Sequence, residues 1–193
     1  MVRANIGYAA WDVLNDGFAK TVGVSLGLAS ISIGLFLMVI VYISREKIGL
    51  GSILNMVLVG VFIDLIMSFG IIPEGSGYLS SLALLFAGMV TLALASALYI
   101  NSGFGAGPRD SVMVILMRKT GLPVGACRSS LELTAVALGW LMGGQVGVGT
   151  LITSLGMGMT MQVIFRLVRF NPTTVKHETL LQTWKALINR EFS

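Results

Sequence analysis

A chain of 193 residues is long enough for one compact unit, but 55% hydrophobic residues, 11% charged residues and a mean hydropathy of +0.87 exclude an ordinary soluble domain and indicate an integral membrane protein. The net charge of +4 comes from Lys and Arg at the ends of apolar segments, not from a basic patch with aromatics, so nucleic acid is not an expected partner. Cys127 and His177 are each alone, which leaves no intramolecular disulfide and no ligand set, and we expect neither a metal nor a cofactor.

In chain order, Met1-Val-Arg-Ala runs straight into the glycine motif Asn5–Asp12, without the charged-then-apolar order of a cleavable signal. Val13–Thr21 is too short to cross a bilayer, which needs about 20 apolar residues, and reads as a half-helix or an interfacial helix. Val24–Ile43 fits one transmembrane helix ending at Arg45-Glu-Lys47. Gly49-Leu-Gly51 turns the chain, Ser52 is a candidate cap, and Ile53–Phe69 spans back with Asp64 inside. After a turn at Ile72–Gly77, Tyr78–Ile100 is the longest apolar span. Gly103–Asp110 is a second glycine-rich motif, with Pro108 at a first helical position, and Val112–Met117 is again too short to cross. Val124–Met142 spans with Arg128 and Glu132 near its start. Leu151–Val168 spans last, and Thr174–Phe192 reads as an amphipathic tail helix on the membrane surface.

The two motifs lie 98 residues apart. The same shift, without a gap, aligns Gly23, Gly27, Gly49, Gly51 and Gly60 with Gly121, Gly125, Gly147, Gly149 and Gly158. Asn5–Phe69 against Gly103–Leu167 gives ten identities, six of them glycine, so close backbone approach is what the two halves share. The expected fold is all-α: five transmembrane helices, two glycine-preceded half-helices and an internal repeat. The repeat divides the chain into 1–70, 71–170 and a tail, 171–193. The register places a counterpart of Tyr78–Ile100 ahead of Met1, so the first repeat lacks its leading helix.

With Arg45 and Lys47 on the cytoplasmic side, alternation through five spans puts eleven of thirteen basic residues inside, together with the tail. Each full repeat then has three crossings, and the halves are inverted. Trp11 falls at the outer interface and Arg109 at the inner one.

Inverted repeats with short helices at matching positions recur in transporters and channels, where helix ends and unwound backbone face the path. The candidate path residues are Asp12, Asp64, Gly105, Gly107, Arg109, Asp110 and Gln162, Asp64 and Gln162 being equivalent under the 98-residue shift. The blander roles are capping for Asp12 and Asp110, and an intrahelical ion pair for Arg128 and Glu132. No catalytic constellation or nucleotide motif is present, so an enzyme is not expected. The two readings are a small-solute transporter or channel, and a non-transporting membrane partner that presents its basic tail. A homo-oligomer or a partner protein would supply the surface of the absent helix.

The motifs Asn5–Val13, Thr21–Gly27, Ile48–Ser52, Gly105–Asp110 and Val146–Thr150 resemble those of the bacterial YczE/YitT-type membrane proteins, over nearly the whole membrane part to about Leu167. That resemblance implies a multi-pass protein of the cell (inner) membrane built by duplication. It also implies a transmembrane helix ahead of the first motif and a Pro where this chain has Ala10. It implies no substrate and no catalytic residue.

Overall fold

The computed structural model describes residues 6–70, 77–175 and 178. They form seven α-helices and, among the described residues, no strand: α1 (Ala10–Val22), α2 (Leu26–Ile43), α3 (Leu50–Phe69), α4 (Tyr78–Asn101), α5 (Pro108–Thr120), α6 (Val124–Leu141) and α7 (Val148–Leu167). Local chemistry sets their limits. Pro108 opens α5 at a position where its missing N–H costs nothing, and the Ser25 hydroxyl accepts the Leu28 N–H at 3.1 Å to open α2. Gly23 and Gly121 close α1 and α5 in the left-handed conformation (φ 77° and 70°), which a side chain would disfavour.

The bounds of α5, α6 and α7 are those of α1, α2 and α3 moved by the same 98 residues. The joining hydrogen bonds follow that shift. Gly51 N–H donates to Phe104 O at 2.9 Å, and Gly149 N–H donates to Ile6 O at 2.7 Å. The first bond brings the start of α3 to the end of α4. Arg118 extends that end of the bundle by reaching Glu46 at 2.7 Å and Thr173 O at 3.3 Å. The second bond defines the opposite end, where Lys20 also reaches Gly143 O at 3.4 Å. Thus α2 ends where α3 starts at one end, and α6 ends where α7 starts at the other, so the two triplets run in opposite directions.

Glycines permit the close crossings. A Cβ on Gly27 would meet the Gly60 carbonyl and the Asp64 carboxylate, and one on Gly139 would fall 2.5 Å from Leu14 N. The main core joins Leu85, Met89 and Ala93 of α4 to Met113, Cys127, Met157, Met161 and Phe165. A second cluster joins Trp11, Ile33, Leu37 and Ala135.

The expectation of five crossing helices is met, by length and apolarity, by four: α2, α3, α4 and α7. The 18-residue α6 is as long as α2, but Arg128 and Glu132 fall within it. The short α1 and α5 have 13 residues each, about 20 Å of helix, less than the roughly 30 Å hydrocarbon core. Ser52 is not a cap. Gly49 holds that position, and the Ser52 hydroxyl is buried with no hydrogen-bond partner. The amphipathic tail expected over Thr174–Phe192 lies, apart from Thr174, Val175 and Glu178, outside the described residues.

Candidate functional site

The N-terminal turns of α1 and α5 meet in the middle of the bundle. Arg109, the second residue of α5, stacks its guanidinium 4.9 Å from the ring centroid of Trp11, the second residue of α1. This corrects the placement of Trp11 at one interface and Arg109 at the other: Trp11 is 7% exposed, and the two residues pack on each other. Arg109 also donates to the Ser30 hydroxyl of α2 at 3.1 Å.

Beside this pair lies a buried ion network. Arg128 of α6 donates from Nη1 to Asp110 Oδ1 at 2.6 Å and from Nε to Glu132 Oε1 at 2.7 Å. The same Glu132 oxygen accepts the Trp11 indole N–H at 3.1 Å, and Ser96 of α4 donates to Asp110 Oδ2 at a long 3.3 Å. Arg128, Asp110 and Glu132 are exposed by 6% or less. The intrahelical Arg128–Glu132 pair read from the sequence is present, joined by a second carboxylate from α5. Arg128 is therefore a buried residue and Arg109 a half-buried one packed on Trp11, and both leave the tally of cytoplasmic loop charges. Hydropathy and spacing count a charge without its partners, and here Asp110 of α5 and Trp11 of α1 bring partners from other helices.

Two small cavities flank the network. The first, about 100 Å³, is lined by Ser30, Asn55, Ser96, Tyr99 and Gly107, with Asp110 beside them. The second, about 60 Å³, is lined by Trp11, Asp12, Glu132, Thr153 and Met157. Leu92, Arg109 and Arg128 border both. The linings correspond under the 98-residue shift: Gly107, Arg109, Asp110, Ser30, Gly34, Asn55 and Val59 of the first match Ala9, Trp11, Asp12, Arg128, Glu132, Thr153 and Met157 of the second. The first cavity is smaller than one of about 150 Å³ that accepts benzene, so either admits waters, an ion or a very small solute.

Of the residues singled out from the sequence, Asp12, Gly107, Arg109 and Asp110 line these cavities. Asp12 and Asp110 sit in the first turns of α1 and α5, but neither helix has a side-chain cap bond, and Asp110 pairs with Arg128 instead. Gly105 (φ 116°) lies outside the cavities, against the Ser52 hydroxyl and the Gly49 backbone. Its counterpart Gly7 (φ 114°) packs on Gly147 in the same way. Asp64 and Gln162 lie elsewhere too. Asp64 accepts from the Ser25 hydroxyl at 2.7 Å and the Gly27 N–H at 2.8 Å, binding the start of α2, and Gln162 lies against Gly125 at the start of α6. Sequence reasoning missed Ser30, Asn55, Ser96 and Tyr99. For Ser30 and Asn55 a signal existed, because the shift pairs them with Arg128 and Thr153.

Three proteins are similar to this chain over most of its length. The uncharacterized membrane protein YczE of Bacillus subtilis (strain 168) is 35% identical over 158 residues, 81% of this chain and 73% of that protein. An uncharacterized protein of Haemophilus influenzae is 29% identical over 168 residues, 87% of this chain and 76% of that protein. The uncharacterized protein YyaS of Bacillus subtilis (strain 168) is 24% identical over 172 residues, 86% and 84% of the two chains. No solved structure matches. The apolar helices and the membrane relative make this a multi-pass membrane protein. The model of a family of unknown function, DUF6198, matches residues 1–166, and the chain belongs to that family.

Proposed function

We propose that this protein is a small-solute transporter or channel whose path passes between the N-terminal turns of α1 and α5. The observation that carries this reading is the pair of cavities with corresponding linings, separated by Arg109, Arg128 and Trp11. A path through two inverted repeats needs one vestibule per repeat and a barrier at the axis that relates them. The equal helix bounds and reciprocal loop bonds support a duplication with inverted halves. In this reading α6 is a fifth crossing, its charges held by Asp110 and Trp11 and so kept from lipid. Arg45, Lys47, Arg118 and Lys119 gather near one end, which the positive-inside rule makes cytoplasmic, along with the C-terminus, in an inner membrane. No covalent chemistry is part of this function. A second copy or a partner protein completes the lipid-facing surface.

The test is purification, reconstitution into liposomes and flux measurement with a panel of small amino acids, monocarboxylates, ammonium and monovalent ions. Saturable flux of any member, slowed in Arg109→Gln, supports the reading. Parental vesicles no leakier than empty ones for the whole panel would overturn it in favour of a non-transporting partner. Cysteines introduced at Arg45 and Gln145 in a Cys127→Ser background test the topology, and labelling of both from one face would reject the inverted arrangement.

A further inference from the structure

Among the described residues, the central cluster contains an odd number of charges. Asp12, Asp110 and Glu132 supply three carboxylates, and Arg109 and Arg128 supply two guanidiniums. A surplus charge at this depth is costly, and a carboxylate so placed sheds the cost by taking a proton. The hydrogen bonds indicate which one. Both oxygens of Asp110 are engaged, one by Arg128 and one by Ser96, and Glu132 accepts from Arg128 and Trp11. No donor among the described residues lies within hydrogen-bond distance of the Asp12 side chain, which instead borders the second cavity.

The charges around Asp12 are few. Arg109 of α5 attracts it, Glu132 of α6 repels it, and Tyr8 lies just before its helix. Arg128 borders the same cavity but is bound to Asp110 and Glu132. α2 and α7 contribute no charged group to the cavity. Arg109 makes no ion pair with Asp12 and instead lies over Trp11 and bonds to Ser30.

We propose that Asp12 is the proton-binding site of the path. Its carboxylate takes a proton from water on one side of the membrane, becomes a neutral carboxylic acid that balances the cluster, and releases the proton to water on the other side. Proton binding stands on the geometry alone, whereas proton movement across the membrane rests on the transport reading.

Infrared titration of the full chain in liposomes, with no solute present, tests binding directly. The parent is expected to show a protonated-carboxyl carbonyl band that titrates with pH. That band should be absent in Asp12→Asn, retained in Asp110→Asn, and displaced in Asp12→Glu. Retention of every band in Asp12→Asn overturns the proposal. If Asp12→Asn does not fold, an undisplaced band in Asp12→Glu does the same. Vesicles loaded with a pH-sensitive dye then read movement, and Asp12→Asn is expected to lose the parental proton flux. A parent that shows the band but moves neither protons nor solute overturns transport and leaves the proton site standing. A parent that moves solute but shows no Asp12 band overturns the proton site and leaves transport standing.

Discussion

Replacing Arg128 with Met removes the cation that holds two carboxylates and retains most of the side-chain volume. Asp110 and Glu132 lie 2.6 and 2.7 Å from the guanidinium, and all three residues are nearly inaccessible to water. Breaking a buried pair by removing one partner costs about 3–5 kcal/mol, because the other charge is left without compensation. Two carboxylates are stranded here, so the upper part of that range applies unless one of them protonates. At about 2–4 °C per kcal/mol for a chain of this size, the midpoint of thermal unfolding in detergent should fall by roughly 6–20 °C. The triple variant Arg128→Met, Asp110→Asn, Glu132→Gln removes the stranded charges and keeps acceptors for Ser96 and Trp11, so it should recover most of the loss. A single variant that stayed within a few degrees of the parent would refute this account of the network. The same conclusion would follow if the triple variant melted as low as the single one.

Two further predictions concern the halves as a natural comparison. Gly27→Ala drives a Cβ into the Gly60 carbonyl and should cost about 1–3 kcal/mol, whereas Gly125→Ala meets chiefly the movable end of Gln162, with the Gly158 carbonyl 3.2 Å away, and should cost less than about 1 kcal/mol. Equal midpoints for the two variants would refute the argument. Thr150→Ala removes a hydroxyl that donates to Tyr8 O at 2.6 Å and accepts the Gly147 N–H at 3.1 Å, for a loss of about 1–3 kcal/mol. Ser52→Ala removes a buried hydroxyl without a partner and should be neutral or stabilising, and a large loss in that variant would show that Ser52 is bonded after all.

Much of the architecture was legible in the sequence because it depends on local information. Apolar runs, glycines and Pro108 mark the helices to within a few residues, and a gapless shift relates the two motifs. What could not be read were partners distant in sequence. Asp64 looks like an isolated carboxylate in an apolar span, yet its ligands are Ser25 and Gly27, on the preceding helix and its cap. Arg109 and Arg128 look like residues flanking membrane segments, and their place inside the bundle shows only once Trp11, Asp110 and Glu132 are placed around them. The same limit applied to Ser96 and Tyr99, small polar interruptions of the longest apolar helix that gain meaning from the cavity beside them.

α3 and α7 have matching bounds but different surroundings, and the difference is one of packing. α4 lies along α7 and buries Met157 and Met161 against Leu85, Met89 and Ala93. No described helix takes that place along α3, where 11% of the span is buried inside the protein against 44% for α7. Met161 is fully buried, whereas its counterpart Ile63 is half-buried on a surface that includes exposed Leu58 and Phe62. In a bilayer the difference should appear as packing energy rather than hydrophobic transfer, since lipid tails are as apolar as either side chain. Met161→Ala opens a cavity between α4 and α7 and should cost about 2–5 kcal/mol. Ile63→Ala leaves a space that acyl chains or detergent can fill, so its cost should be below about 2 kcal/mol. The two side chains are similar in volume, which makes the comparison one of surroundings. Equal losses would mean that α3 is covered as tightly as α7, and a loss at Ile63 that grows with protein concentration would identify a second copy as the cover.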